Sequence, residues 1–199
     1  MTRRRLSVAL VVLVLLGASW ADAAAQTTAE EVAATRQRAE QGDAIGQFLL
    51  GYYYEEGDGV LQDYVEALKW FRLAADQGQA DAQTRLGMWY STGRGVPQDD
   101  VEAVRWLRLA AEQGNADAQA RLGGMYFNGD GVLQDYVEAH KWFNLGTTRA
   151  TIDKTYSSLF LERYRAMRDG LAKRMTPAQL AEAQTLAREW QAAFDARQE

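Results

Sequence analysis

Carboxylates abound in this 199-residue chain, but no pair of them is marked by the sequence pattern, and the other residues that carry acid–base, nucleophilic or metal chemistry are few. Cysteine is absent, which removes disulfides, thiolate nucleophiles and the common zinc sites. His140 is the one histidine, so the multi-histidine clusters of most catalytic zinc sites cannot be assembled. Glu55-Glu56-Gly57-Asp58-Gly59 has the acidity of a calcium loop but not the carboxylate spacing of an EF-hand. Only Asp58 and Asp130 recur in that loop, and Arg94 replaces them between. The Gly-x-Gly pairs follow no strand and are loop punctuation, not a dinucleotide fingerprint. Ser157-Ser158 has no base nearby in sequence. The expectation is a chain with no catalytic residues, no cofactor and no metal site, and hence not an enzyme.

What the sequence does have is repetition. Residues 40–75, 76–111 and 112–147 align without a gap at a period of 36, and 17 of the 36 columns are identical in all three copies. Gln41-Gly42 returns as Gln77-Gly78 and Gln113-Gly114. Leu50-Gly51 returns at Leu86-Gly87 and Leu122-Gly123, and Gly57-x-Gly59-Val60 returns at Gly93 and Gly129. Such a period marks a stack of supersecondary units, each unable to bury its apolar face alone.

Each unit reads as two antiparallel helices. In the first copy Ala44, Gln47, Leu50, Gly51 and Tyr54 recur at three- and four-residue steps, which predicts a helix over 43–56 with Gly57 as its left-handed cap. Gly59 supplies a second permissive loop position. A second helix is predicted over 64–77, with Asp63 as N-cap and Glu66 three residues on, a capping-box pattern repeated at Asp99/Glu102 and Asp135/Glu138. Gly78 and Gly114 close the second helices. Gly51, Gly87 and Gly123 sit mid-helix, where glycine costs roughly 1 kcal/mol, so close helix crossings are expected there. Ala67, Ala103 and Ala139 suit the same purpose on the second helix. Trp70, Trp106, Trp142 and the recurrent Tyr54, Tyr90 and Tyr126 are read as core.

The series Ala80-Asp81-Ala82-Gln83, Leu86-Gly87, Tyr90, Gly93-Arg94-Gly95-Val96, Asp99, Ala103, Trp106, Ala110 resembles the Sel1-like repeat family, relatives of tetratricopeptide repeats. The resemblance covers residues 40–147. It implies an all-α solenoid of antiparallel helix pairs and a protein-binding scaffold. The first copy departs at Gly46, where the pattern has Ala, and the third at Gly146-Thr147, where the others end Ala-Ala. Some cysteine-rich bacterial relatives suggest instead a cell-wall-associated or β-lactam-binding enzyme, and an imperfect end cap suggests self-assembly. The missing cysteines weaken the first of these alternatives.

The ends are read as an export signal and caps. Arg3, Arg4 and Arg5 precede the apolar run Leu6–Leu16, too short to span a bilayer, and small residues follow to Ala25, the pattern of a cleaved signal peptide over 1–25. A periplasmic or secreted location is expected, with no membrane attachment after cleavage. Residues 1–25 carry three arginines and one aspartate, so their loss takes the formal charge from −5 to −7. An acidic surface gives no broad attraction to nucleic acid. Residues 26–39 are expected to form an N-terminal cap, a helix of 29–41 started by Thr28 and Glu31. Residues 148–199 form the C-terminal cap. One helix begins near Ile152, with Leu159, Leu161, Tyr164, Met167 and Leu171 on its apolar side. Another is announced by Thr176-Pro177-Ala178-Gln179 and presents Leu180, Ala183, Ala187, Trp190 and Phe194.

With no catalytic cluster, function is sought on surfaces. On each first helix the side opposite the recurrent face falls to Ile45, Leu49, Tyr52 and Glu56, to Asp81, Arg85, Met88 and Thr92, and to Asp117, Arg121, Gly124 and Asn128. By resemblance to related solenoids, first helices line a concave face where a peptide or protein partner binds. One reading is a groove, apolar at Ile45, Leu49 and Tyr52 and mixed in charge beyond. The other is a solvated surface, where the i,i+4 pairs Asp81/Arg85 and Asp117/Arg121 need no partner. His140, in the variable column of Leu68 and Val104, is read as a surface or packing residue.

Overall fold

The computed structural model describes residues 20–153 and 156–199, with side chains described from residue 28 on. The basic and apolar stretch expected to form an export signal lies, up to residue 19, outside the described residues. The described elements are helices: α1 (Trp20–Glu40), α2 (Ala44–Glu56), α3 (Tyr64–Asp76), α4 (Ala80–Thr92), α5 (Asp100–Glu112), α6 (Ala116–Asn128), α7 (Tyr136–Ile152), α8 (Ser158–Ala172) and α9 (Pro177–Asp195). Pairs α2–α3, α4–α5 and α6–α7 are the three repeats of an all-α solenoid. The chain divides into two compact units after Trp70.

In the first unit, α1 packs on α2, and Val32, Ala39, Leu50 and Trp70 form one buried cluster. Asp43 caps α2 by accepting the Ile45 N–H at 3.1 Å. Gly57 ends it with φ 76°, a left-handed turn whose N–H reaches the Tyr53 carbonyl. A β-carbon built at Gly59 would stand 2.9 Å from Val32 Cγ2, so the second loop glycine lets the loop ride on α1. Gly46 has a packing reason as well. A β-carbon there would lie 3.0 Å from both Ala39 N and Arg38 Cβ, so the repeat's alanine is excluded by the closeness of α1. The cap helix begins at Trp20, not at residue 29. The run Ala21–Ala25 favours helix and holds no breaker, so Thr28 lies inside α1 and starts nothing.

In the second unit the same grammar recurs. Asn115 caps α6 through the Ala118 N–H at 3.0 Å, and Gln79 caps α4 through the Ala82 N–H. Asp99 and Asp135 each accept two backbone N–H bonds at the starts of α5 and α7. The glutamates of the expected capping boxes turn forward along the helix instead. Glu102 pairs with Arg105 at 2.8 Å and Glu138 with Lys141 at 2.6 Å, because a cation three residues on outcompetes a neutral backbone N–H. The reciprocal box forms at Thr176/Gln179, where no such cation is placed. A β-carbon at Gly87 would lie 2.6 Å from Leu107 Cγ, and one at Gly123 would lie 2.8 Å from Phe143 Cδ1. The mid-helix glycines are thus where α5 and α7 press their large side chains onto α4 and α6.

The C-terminal part departs from expectation at two places. The helix α7 does not stop near residue 148 but runs to Ile152, and the next begins at Ser158, not near Ile152. The cause is in the column of Gly42, Gly78 and Gly114, where the third copy has Ala150. Without a residue suited to positive φ the helix continues, and Thr147 and Thr151 hydroxyls bond back to the Phe143 and Thr147 carbonyls at 2.8 and 2.6 Å. Gly146 meets α6, where a β-carbon would lie 2.9 Å from the Ala116 carbonyl oxygen, and Thr147 meets α8 through Arg168. Tyr164 and Leu171 of α8 bury with Ala120, Ala139 and Phe143, while Leu159, expected on that apolar side, faces solvent.

Candidate functional site

Two contacts recur with the repeat and fix which side of each first helix faces its neighbours. Gln47 Nε2 donates to the Ala39 carbonyl at 3.2 Å, Gln83 to Ala75 at 3.1 Å and Gln119 to Ala111 at 3.0 Å. Each carbonyl belongs to the last turn of the preceding helix, where it also accepts the N–H of the glycine three residues on. Arg36, Arg72 and Arg108 donate to the phenols of Tyr54, Tyr90 and Tyr126, each eighteen residues on. These tyrosines are half-buried, with their hydroxyls claimed by arginine, not wholly in the core. The arginine column is a link that the repeat pattern carried and the sequence reading passed over, since Asn144 breaks it in the third copy.

With that face committed, the opposite face of α2 carries Ile45 at 56% and Tyr52 at 41% exposure, with Leu49 half-buried and Glu56 exposed. On α4, Arg85 and Met88 are half-buried and Thr92 is exposed. The Thr92 hydroxyl donates to the Met88 carbonyl at 2.8 Å. Asp81 accepts from Asn115 Nδ2 at 2.8 Å, so a first-helix carboxylate is bridged to the next repeat. On α6, Arg121 Nε pairs with Asp117 at 2.8 Å, and Asn128 donates to Asp130 at 2.9 Å.

The α6 face is also shared with the C-terminal part. Tyr156 and Tyr164 lie close enough to Asp117 for its carboxylate to act on both phenols, and Arg121 acts on Tyr164. Burial pushes both phenols above their ordinary range, with the nearby carboxylates adding to the effect; a hydrogen bond to the Asp117 backbone opposes it at Tyr156, and Arg121 opposes it at Tyr164. Several polar groups on α4 and α6 are thus engaged within the chain, while on α2 Ile45 and Tyr52 are exposed.

His140 is buried on α7, in a column otherwise aliphatic. Burial holds its imidazole below the ordinary value of 6.5, with Arg168 adding to the shift and Asp169 opposing it. It is a packing residue. Among the described residues, no group of three or more histidine, aspartate or glutamate side chains converges as a metal site would. Among the same residues no helix is long and apolar enough to cross a membrane.

Helix pairs repeated at a fixed period define an all-α solenoid. The Sel1 repeat model matches residues 44–79, 80–115 and 116–147, and the chain belongs to the Sel1 repeat family. Proteins of this family are generally protein-interaction scaffolds, and the fold is typically non-catalytic. Among solved structures, a Sel1 repeat protein from Oxalobacter formigenes is 33% identical, with a TM-score of 0.59 over 68% of this chain and 97% of that one. The protein c5321, a protective antigen of uropathogenic Escherichia coli strains with the same repeat fold, is 30% identical, with a TM-score of 0.57. That match covers 84% of this chain and 43% of the longer antigen. No curated protein matches.

Proposed function

We propose that the protein is an exported scaffold without catalytic activity, and that it binds a peptide or protein partner on the concave face lined by its first helices. The observation that supports the reading most is the pair Ile45 and Tyr52, both large, apolar and exposed on α2, with Leu49 between them. Aromatic and aliphatic side chains clustered on one face are the usual anchors of a protein interface. On the first helices Glu56, Arg85, Thr92, Arg121 and Asn128 supply polar groups in this reading and Met88 an apolar one, and polar groups of that kind suit orientation of a partner more than affinity. The periplasm or the exterior is the proposed location, on the sequence pattern of residues 1–25.

Crosslinking the chain in envelope extract, beside a Leu49→Asp/Tyr52→Asp double variant of unchanged circular dichroism, tests the site. A partner captured by the parent and lost by the variant is the expected result. Equal capture by both would move the site away from α2.

A further inference from the structure

The helix α9 has company in only one of two equivalent places. It packs against α7, with Trp190 edge-on to Trp142 at 5.9 Å and stacked on Phe194 at 5.0 Å. Phe194 closes over the turn that follows α5. A β-carbon at Gly114 would lie 2.8 Å from Phe194 Cζ, and Arg149 sits over the same ring at 5.3 Å. Ala187 joins the buried cluster that holds Leu145, Trp142 and Leu107. The outer side of the second helices is therefore a surface on which an amphipathic helix seats by inserting an aromatic pair four residues apart.

One repeat toward the N-terminus the same columns return without a cover. Gly78 takes the place of Gly114, and nothing lies within 4 Å of a β-carbon built there. Leu109 takes the place of Leu145 and is 39% exposed, where Leu145 is 5% exposed. Trp106 takes the place of Trp142. The Trp142 indole N–H donates to Glu138 at 3.0 Å, whereas the Trp106 indole N–H is buried with no acceptor, its neighbour Glu102 being held by Arg105. Beside Leu109 a cavity of about 380 Å³ opens along α5, bordered by Val101, Arg105, Arg108 and Glu112. The exposed leucine and the open turn are the two groups that α9 covers one repeat later, and the buried, unsatisfied Trp106 indole lies on the same helix as the leucine.

We propose that this stretch, the Gly78 turn with the Trp106–Leu109 side of α5, docks an amphipathic helix of a partner protein that carries two aromatic residues four positions apart. The chain's own α9 is the pattern for the occupant, since it is the helix that fills the equivalent place. A second copy is a poorer occupant. Its α9 is tethered beside its own groove at an effective concentration near the millimolar range, and moving it would leave that groove empty. The site is separate from the α2 face, so it stands or falls apart from the scaffold reading given above.

The test uses the full chain and a synthetic peptide of residues 176–199 as the model helix. Titration is followed by fluorescence anisotropy of the labelled peptide and by the indole N–H resonances of the protein. The expected result is saturable binding that shifts the Trp106 indole. Leu109→Asp, at an exposed position, should weaken it by at least about tenfold, equivalent to 1.4 kcal/mol. A peptide with Trp190→Ala and Phe194→Ala should lose binding to the parent. Absence of binding at millimolar peptide would overturn the proposal. So would binding indifferent to Leu109→Asp that moves the Trp142 indole and is lost in Leu145→Asp, since the peptide would then be replacing α9 in its own place.

Discussion

At the N-terminal end, α1 offers α2 the same two groups that one repeat offers the next: the Ala39 carbonyl to Gln47 and the Arg36 guanidinium to Tyr54. At the C-terminal end nothing of the kind is offered. There α7 overruns its stop, Thr147 replaces alanine and bonds to Arg168, and α8 and α9 bring Tyr164, Trp190 and Phe194 as aromatic covers. One end is closed by imitation of a repeat, the other by burial of rings. Imitation constrains size, because the imitating helix comes close enough to forbid a methyl group at Gly46. Burial constrains shape less and area more, since a ring contributes through the surface it removes from water.

The contrast can be broken first at the larger effect. Phe194→Ala should cost about 3–5 kcal/mol, as truncation of a buried aromatic does, seen as a lower urea midpoint. If the C-terminal cap were held by polar contacts instead, the midpoint would hardly move. Gly46→Ala probes the other end by adding one methyl group. Overpacking against Ala39 and Arg38 should cost about 1–3 kcal/mol. The mirror change, Ala82→Gly in the second repeat, should also destabilise, by loss of packing and of helix propensity. A stabilising Gly46→Ala, read by thermal midpoint, would show that α1 is free to move away.

The smallest effect concerns acid. The His140 imidazole is held neutral by burial, with its folded pKa below 6.5, so the unfolded chain takes up a proton first as pH falls. Stability should be complete above 6.5, decline as pH drops from 6.5 toward the lower folded value, and level off below it. Arg168 and Asp169 are the charged groups that act on this ring. In His140→Leu, which copies Leu68 of the first repeat, that limb of the pH curve should vanish while stability near pH 8 is kept or improved. An unchanged limb in the variant would trace the acid sensitivity to carboxylates.

The repeats were legible because glycine and capping residues mark helix ends by backbone geometry alone, which a single sequence displays. Gly57 and Asp135 are cases where residue type and conformation have nearly one solution. The overrun of α7 was written in Ala150 and passed over, because the missing glycine is an absence within a column. The forward turn of Glu102 and Glu138 depends on which of two partners wins, and spacing alone does not rank a cation against a backbone N–H. The candidate face was only partly legible. A helical wheel places Ile45, Leu49 and Tyr52 on one side of α2. It does not show that Arg121 and Asp117 are already engaged beside Tyr164, which depends on where α8 lies. The arginine–tyrosine links escaped for a related reason, as they join columns half a period apart.

The glutamine contacts have a consequence for how the chain finds its fold. Each joins residues eight apart, and each arginine–tyrosine link joins residues eighteen apart, so both recurrent ties between successive helices close short loops. Folding rates fall as the sequence separation of native contacts grows. An array held by ties of fixed, short reach should therefore assemble at a rate set by one tie, not by chain length. Inserting a further 36-residue unit would raise the stability of the array and leave its speed of assembly almost unchanged.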